Sequence, residues 1–240
     1  MSKKVINDLF DYPDRFIVQD DENFKFSVDS ILLAEFVEKP KSNSVILDMC
    51  TGNAPIPLIL SAKYSNNIIG FEIQKKISDM AVESIELNKC ENQIRIINDD
   101  IKNIKNYFPG NNFDVITCNP PYFKCHDDKL LNNNEIKSIA RHEIKIDLKD
   151  IIKIVSENLN NKGVFYLVHR PERVDEIISE CLKNNLAIKK MIFVTTKEKS
   201  LSTIVLIKAV KNGRLGVKVH ILPNLKKYKS YQNIFDEVIK

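Results

Sequence analysis

The 240-residue sequence has no CxxC pair, and its five cysteines are an odd, dispersed number. This disfavours structural disulfides and a thiolate zinc site, and it favours a reducing compartment. No apolar run approaches the roughly 20 residues that a bilayer-spanning helix needs. The N-terminal stretch also lacks the apolar core of a secretory signal. We therefore expect a cytoplasmic protein with no membrane association.

Acidic residues are scarce near the end of the chain. The formal net charge is only +4, from 36 Lys and Arg against 32 Asp and Glu. Residues 183–240, however, contain 13 basic and 3 acidic residues, whereas residues 1–182 contain 23 basic and 29 acidic ones. This polarity predicts that the C-terminal part faces a polyanion.

Short apolar, β-branched runs alternate with longer segments of helical periodicity from residue 45 onward. The pattern predicts an α/β fold with a mainly parallel seven-stranded sheet, helices on both faces and an antiparallel edge hairpin. We expect a single domain over residues 1–240, with an N-terminal cap segment (1–44), a core (45–211) and a basic C-terminal tail (212–240). The predicted strands are 45–50, 67–73, 94–98, 113–118, 164–168, 188–195 and 203–210, and the predicted helices include 55–64, 76–90, 147–159 and 172–185.

Polar side chains at successive strand ends indicate a cofactor site, because ligands of open α/β sheets bind beyond the carboxyl ends of the strands. A small-residue turn around Gly52 follows the first core strand, Glu72 ends the second, and Asp99 and Asp100 follow the third. Taken singly, each acid reads as a solvated turn residue; in this order they fit the ribose and adenine of an adenosine-bearing cofactor. Only Gly52 stands where a dinucleotide motif needs three glycines, which favours S-adenosylmethionine over NAD.

The tetrapeptide Asn119-Pro120-Pro121-Tyr122 follows the strand FDVITC. Two successive prolines fix φ, so the Pro120 carbonyl has a set direction. The Asn119 side-chain oxygen and this carbonyl form two acceptors suited to an exocyclic NH₂ group, and Tyr122 offers a face for base stacking. The alternative, a turn that merely ends a strand, does not need such restricted residues.

The segments DMCTGNAPIPL, GFEI and NPPYF resemble the class I, Rossmann-like S-adenosylmethionine-dependent methyltransferases that modify amino nitrogens. FKFSVDSILL, ARHE and VHRPER make the sequence similar to the bacterial tRNA1(Val) (adenine-37-N6)-methyltransferases over roughly residues 16–225. The resemblance implies N6-methylation of adenosine 37, beside the anticodon of a valine tRNA. One departure is Ala54, where the family usually has glycine.

The resemblance also implies roles for individual residues. Asn119, Pro120, Pro121 and Tyr122 would form the catalytic motif. Asp29 has an equally weighted alternative role as the N-cap of a helix at 30–37. The implied S-adenosylmethionine contacts are Ser27, Asp29, Asp48, Cys50, Thr51, Gly52, Asn53, Glu72, Asp99, Asp100, Ile101 and Asn119.

Contacts with the tRNA anticodon loop are expected from two groups of residues. Arg141, His142, His169 and Arg170 lie near the substrate side, with a structural salt bridge as the alternative role. Lys226, Lys227 and Lys229 lie among aromatic residues, with a solvated lysine face as the alternative. The dispersed histidines predict no metal site, and we expect a monomer or weak dimer.

Two rival functions stay open. NPPY is shared by enzymes that methylate amino groups of ribosomal RNA, DNA or protein glutamine. A catalytically silent, cofactor-bound RNA-binding subunit is the rival from another class, and the intact Asn119 and Tyr122 argue against it.

Overall fold

The computed structural model describes residues 4–20, 27–110, 112–121, 146–197 and 200–238. Within them lie a two-stranded hairpin and an eight-stranded sheet. The hairpin consists of β1 (Lys4–Leu9) and β2 (Tyr12–Asp20). The sheet contains β3 (Ile46–Met49), β4 (Ile68–Phe71), β5 (Ile94–Ile97), β6 (Phe113–Cys118), β7 (Leu159–His169), β8 (Leu186–Val194), β9 (Ile204–Lys211) and β10 (Lys218–Leu222).

The strand order is β10-β8-β9-β7-β6-β3-β4-β5, and β9 alone runs antiparallel to its neighbours. The central strands are short apolar runs because helices cover both of their faces, so neither face of the pleat meets water. The α/β class and the mainly parallel sheet predicted from the sequence are confirmed.

Seven helices in the described residues flank the sheet. One apolar cluster packs α1, α2, α3 and α7 on one face, and a second packs α4, α5 and α6 on the other. Asp147 caps α5 as predicted, its side chain accepting from the Asp150 N–H at 2.7 Å. The helices are α1 (Val28–Phe36), α2 (Pro55–Lys63), α3 (Lys75–Leu87), α4 (Ile104–Tyr107), α5 (Leu148–Asn158), α6 (Val174–Lys183) and α7 (Ile234–Val238). No helix in this part of the chain is long and apolar enough to cross a membrane.

The edge of the sheet differs from the prediction. All seven predicted strands are present, but β10 adds an eighth, in the segment 212–240 that the sequence indicated as a tail. The expected antiparallel pairing of β8 and β9 exists, and β9 also pairs with β7. The outermost strand, however, is β10, which pairs with the other side of β8. The predicted edge position of the hairpin is therefore wrong. The reason is that β10 pairs in parallel with β8, a long-range pairing that local sequence pattern does not reveal.

The hairpin β1–β2 lies within the predicted cap segment and packs on α3. The Val18 N–H donates to Ser84 Oγ at 2.9 Å, and Asn88 exchanges hydrogen bonds with both backbone groups of Phe16. These contacts hold β2 against α3 and its C-terminal end.

Glu35, on α1, joins four parts of the fold through a buried carboxylate. It accepts from the Tyr12 hydroxyl, from Lys63 Nζ at 2.8 Å and from the Asn233 N–H at 2.9 Å. Burial, followed by the contact with Glu35, raises the pKa of Tyr12 well above its ordinary value. The hairpin, α1, α2 and the segment before α7 thus meet at one buried charge.

Replacing Glu35 by alanine should lower the free energy of unfolding by about 3–5 kcal/mol, because it leaves the buried end of Lys63 and two further donors without their acceptor. The matched control is Glu38→Ala. Glu38 pairs with Lys190 and Lys208, but its side chain is 52% exposed, so the loss should stay below about 1 kcal/mol. Urea unfolding of the two variants measures the difference, and equal losses would contradict the role of Glu35.

Candidate active site

Four polar segments meet at the carboxyl edge of the sheet. Because β3 pairs in parallel with β4 and β6, and β4 with β5, the residues that follow these strands lie at the same edge. They are the loop 50–54 after β3, Glu72 after β4, residues 98–101 after β5 and Asn119 after β6. The predicted cofactor and catalytic segments are therefore brought together.

The loop after β3 is a tight turn in which alternate residues are left-handed. Cys50, Gly52 and Ala54 have φ of 56°, 59° and 70°. A left-handed residue other than glycine costs about 1–2 kcal/mol, so Ala54 occupies a strained conformation at a position where glycine is the residue expected from the family resemblance. The Thr51 N–H donates to the Phe71 carbonyl at 2.9 Å and ties the loop to β4.

Asp48 lies beneath this loop with no exposed surface. Its two carboxylate oxygens accept from the Thr51 and Thr117 hydroxyls, each at 2.6 Å. Burial raises the pKa of Asp48 to about 7, against the effect of both hydroxyl donors. The structure therefore places Asp48 as a support that joins β3, the loop and β6.

Glu72 faces the same loop from the end of β4. One carboxylate oxygen accepts from the Gly52 N–H at 3.0 Å and the other from the Gln74 N–H at 2.9 Å. Burial raises the pKa of Glu72, while the backbone donors oppose that shift. The carboxylate is thus oriented at a site where few solvent molecules reach it.

Asp99 and Asp100 differ in their partners. The Asp99 carboxylate accepts from Asn103 Nδ2 at 2.8 Å, the Tyr107 hydroxyl at 2.9 Å and the Asp100 N–H at 2.7 Å. The Asn103 contact, then that of Tyr107, lowers the pKa of Asp99. Asp100 caps the 3₁₀ turn Ile101–Asn103: one of its carboxylate oxygens accepts from the backbone N–H of Lys102 at 2.9 Å. Both Asp99 oxygens thus accept hydrogen bonds from groups of the chain itself.

Asn53 is fully buried between the loop and the hairpin. Its Nδ2 donates to the Val18 carbonyl at 2.8 Å, and its Oδ1 has no hydrogen-bond partner within the described part of the chain. Leaving a buried amide oxygen unpaired costs about 1–3 kcal/mol. An acceptor of this kind fits a donor group of a bound molecule.

The segment predicted to be catalytic begins where β6 ends. Asn119 Nδ2 donates to Ser30 Oγ at 2.9 Å, Pro120 is buried and Pro121 is half-buried. Tyr122 lies outside the described residues. Cys118, which precedes the motif, has a pKa raised by burial and then by the neighbouring Cys50, so its thiol stays protonated at neutral pH.

Ser27 and Asp29 lie at the start of α1, close in sequence to Ser30. Ser27 occupies the N-cap position, and Asp29 lies inside the first turn. The alternative in which Asp29 caps the helix is wrong, because α1 begins two residues earlier than the sequence indicated.

The residues expected to contact RNA are placed differently from one another. Arg141 and His142 lie outside the described residues. His169 is only 3% exposed, its Nδ1 accepts from the Arg170 N–H at 2.8 Å, and burial lowers its pKa to about 4. Contrary to the expectation of an outward-facing contact, His169 is an internal, neutral residue. Arg170 is exposed and donates to the Thr203 carbonyl at 3.0 Å.

The lysines near the C-terminus lie close to the same edge. Lys226 and Lys227 belong to a 3₁₀ turn, and Lys229 follows it; all three are exposed. The Leu225 N–H donates to the Thr195 carbonyl at 2.7 Å, and the Asn224 N–H donates to Thr195 Oγ1 at 2.9 Å. β8 runs parallel to β6 and ends just before Thr195. The turn therefore lies at the carboxyl end of the strands, the same end of the sheet as Asn119.

Sequence reasoning missed three contributors to the site. Thr117 lies in a predicted strand and Val18 in the segment 1–44, where no strand was predicted, and nothing local distinguishes either residue. Ser30 lies within FKFSVDSILL, one of the segments that carry the family resemblance, but the resemblance assigned no role to this serine. Among the described residues no group of three His, Cys, Asp or Glu is arranged to hold a metal ion.

Solved structures share this architecture. A predicted O-methyltransferase of Agrobacterium tumefaciens matches with a TM-score of 0.65 at 19% identity, covering 81% of this chain and 86% of that protein. TYW2 of M. jannaschii, solved in complex with AdoMet, matches with a TM-score of 0.59 at 15% identity, covering 88% and 86%. The sheet order and these neighbours define the class I, Rossmann-like methyltransferase fold.

The sequence comparisons identify the family. The model of the methyltransferase small domain matches residues 25–192, so the chain belongs to that family. A curated tRNA1(Val) (adenine(37)-N6)-methyltransferase of Bacteroides fragilis is 27% identical over 173 residues, 72% of this chain and 71% of the relative. One of Bacteroides thetaiotaomicron is 24% identical over 236 residues, covering 98% and 96%.

The pKa of Asp48 predicts a pH dependence of stability. An aspartate has a pKa of about 3.9 when unfolded, and that of Asp48 is about 7 when folded. Between about pH 3.9 and pH 7, Asp48 therefore binds a proton in the folded state but not in the unfolded state. The free energy of unfolding falls as the pH rises through this range. The contribution is on the order of a few kcal/mol.

Asp48→Asn should remove this decline with pH, because asparagine does not titrate. The substitution can also change the free energy of unfolding by an amount that is the same at every pH. His169, whose pKa is lowered to about 4, gives the opposite slope but is present in both proteins. The difference between the two urea-unfolding profiles from about pH 4.5 to 7.5 isolates Asp48. Parallel profiles would contradict the raised pKa.

Proposed function

We propose that the chain transfers a methyl group from S-adenosylmethionine to N6 of an adenosine in tRNA, namely adenosine 37 beside the anticodon of a valine tRNA. The observation that carries the proposal is the position of Asn119, whose amide is held at the sheet edge one strand away from the cofactor loop. The names of the curated relatives support the choice of substrate.

The loop and the acidic strand ends fit an adenosine cofactor bearing a methionine group. Glu72 would accept hydroxyls of the ribose, and Asp100, beside the buried Ile101, would accept from the adenine amine. The unpaired Asn53 Oδ1 and the backbone of Cys50, Thr51 and Gly52 would face the methionine part. Ser27 and Asp29 would contact it from α1, with Asp48 acting from beneath the loop. Bound S-adenosylmethionine supplies an electrophilic methyl group.

Asn119 and Pro120 would orient the target amine. The lone pair of an adenine amine is delocalised into the ring, so the nitrogen is a poor nucleophile. The Asn119 side-chain oxygen and the Pro120 carbonyl would accept both amine protons, favour a pyramidal nitrogen and direct its lone pair toward the methyl group. Pro121 fixes the backbone, and Tyr122 would stack on the base after it leaves the loop stack. Positioning then contributes more to the rate than proton removal.

The basic C-terminal region would bind the RNA backbone. The phosphate contacts would come from Arg170, Lys226, Lys227 and Lys229. Arg141 and His142 are included because they belong to the ARHE segment that carries the family resemblance. For His169 the burial favours support of Arg170 over direct contact. A single domain over residues 1–240, a monomer or weak dimer, metal-free chemistry and a cytoplasmic location stay predictions.

Asn119→Ala should abolish methyl transfer and leave RNA affinity within about twofold, because the side chain acts on the amine and not on phosphates. The assay uses labelled methyl transfer to total tRNA from a strain that lacks the enzyme, followed by nucleoside mass spectrometry. Full activity of the variant would refute the mechanism. Methylated guanine without N6-methyladenosine would refute the substrate. Loss of RNA affinity together with activity would favour a binding role.

Removing the charges of Lys226 and Lys227 should flatten the dependence of log affinity on log salt. Each phosphate contact contributes about 0.7–0.9 to that slope, so the double alanine variant should lose about 1.4–1.8. The matched control is the double variant Lys39→Ala/Lys41→Ala. These exposed lysines precede β3 and so lie toward the amino end of the strands, away from Asn119. Equal slopes in the two variants would mean that Lys226 and Lys227 only solubilise the protein.

A further inference from the structure

Ser30 connects the first turn of α1 to the catalytic motif across 89 residues of sequence. Its hydroxyl oxygen lies 2.9 Å from Asn119 Nδ2, and the residue is only 5% exposed. The rest of α1 cannot shift easily, because Ile31, Leu32 and Leu33 are buried and Glu35 anchors the helix to three other segments. The contact therefore joins Asn119 to a rigid element.

The direction of the Asn119 amide decides which atom meets the substrate. The nitrogen and oxygen of a carboxamide point apart, the nitrogen donates only and the oxygen accepts only. With Nδ2 directed at Ser30, Oδ1 is directed to the other side. The reversed amide would present N–H groups to the N–H groups of an incoming amine, two donors facing each other.

We infer that Ser30 is a positioning residue for methyl transfer: its hydroxyl accepts from Asn119 Nδ2 and so holds Asn119 Oδ1 toward the target amine. This inference rests on the proposed role of Asn119 at an amino group. Ser30 itself touches neither the amine nor the methyl donor and acts through Asn119.

The test compares Ser30→Ala with Ser30→Thr, which retains a hydroxyl. Ser30→Ala should lower kcat by roughly 10- to 100-fold, because a misplaced reacting group costs up to about that factor. The KM for tRNA and the calorimetric Kd for S-adenosylhomocysteine should stay within about twofold. Ser30→Thr should recover most of the lost kcat. The matched control is Ser61→Ala on α2, a buried serine whose hydroxyl donates to the Leu58 carbonyl at 2.8 Å; its kcat should not change.

A second measurement does not depend on how well threonine fits. In an Asn119→Asp background either carboxylate oxygen can accept from the amine whichever way the side chain turns, so Ser30→Ala should change kcat less than it does with Asn119 present. Such non-additivity is the mark of two residues that act as a unit. Equal fold losses in both backgrounds would overturn the inference.

The other outcomes are also distinct. Unchanged kcat in Ser30→Ala overturns the positioning role, and a parallel loss of S-adenosylhomocysteine affinity makes Ser30 a cofactor residue instead. If the wild type methylates an amine other than adenosine N6, the proposed substrate fails, but the Ser30 comparison is made on that product and still decides the inference. If the wild type methylates no amine, both proposals fail.

Discussion

The site is organised around Asp48, a carboxylate without contact to solvent. Its oxygens accept from Thr51 in the loop after β3 and from Thr117 one residue before the end of β6, so a single side chain sets the distance between that loop and the strand that leads into Asn119. Burial of an unpaired carboxylate is costly, and two short hydroxyl contacts offset part of that cost. Gly70, on β4, lies against the loop: a Cβ placed there would lie 2.7 Å from Ile96 Cδ1 and 3.0 Å from Thr51 Oγ1, so a larger residue would require these side chains to move. Packing and hydrogen bonding therefore fix the loop together.

Much of the fold could be predicted because its signals are local. Short β-branched runs identified all seven strands of the core, and in a parallel sheet the end of each strand falls at a common edge. That rule alone brought Glu72, Asp100 and Asn119 into one site. The choice of Asp100 over Asp99 as the proposed adenine contact could not be made from the sequence, since it depends on the contacts of Asn103 and Tyr107 with the Asp99 carboxylate.

The parts that could not be predicted depend on partners far away in sequence. The strand β10 contains Lys218 and the exposed Val219 and Ile221, and only its pairing with β8 makes it part of the sheet. His169 ends a strand as expected, but its burial results from the segments that pack around it. The hydrogen bond of Ser30 to Asn119 spans 89 residues. Charge distribution indicated a basic C-terminal region, whereas Thr195 determines where Lys226 and Lys227 lie.

The buried carboxylate of Glu35 has a consequence for the order of folding. Its partners are spread along the chain: Tyr12 precedes it, Lys63 follows shortly after, and Asn233 comes 198 residues later. Contacts of such sequence separation form late, because the entropy of closing the loop must be overcome before the contact is made. During synthesis the hairpin and α1 would assemble with this charge still incompletely enclosed, until the segment before α7 leaves the ribosome. The corner where the hairpin, α1, α2 and the segment before α7 meet would then close only after the segment 198 residues beyond Glu35 has been made.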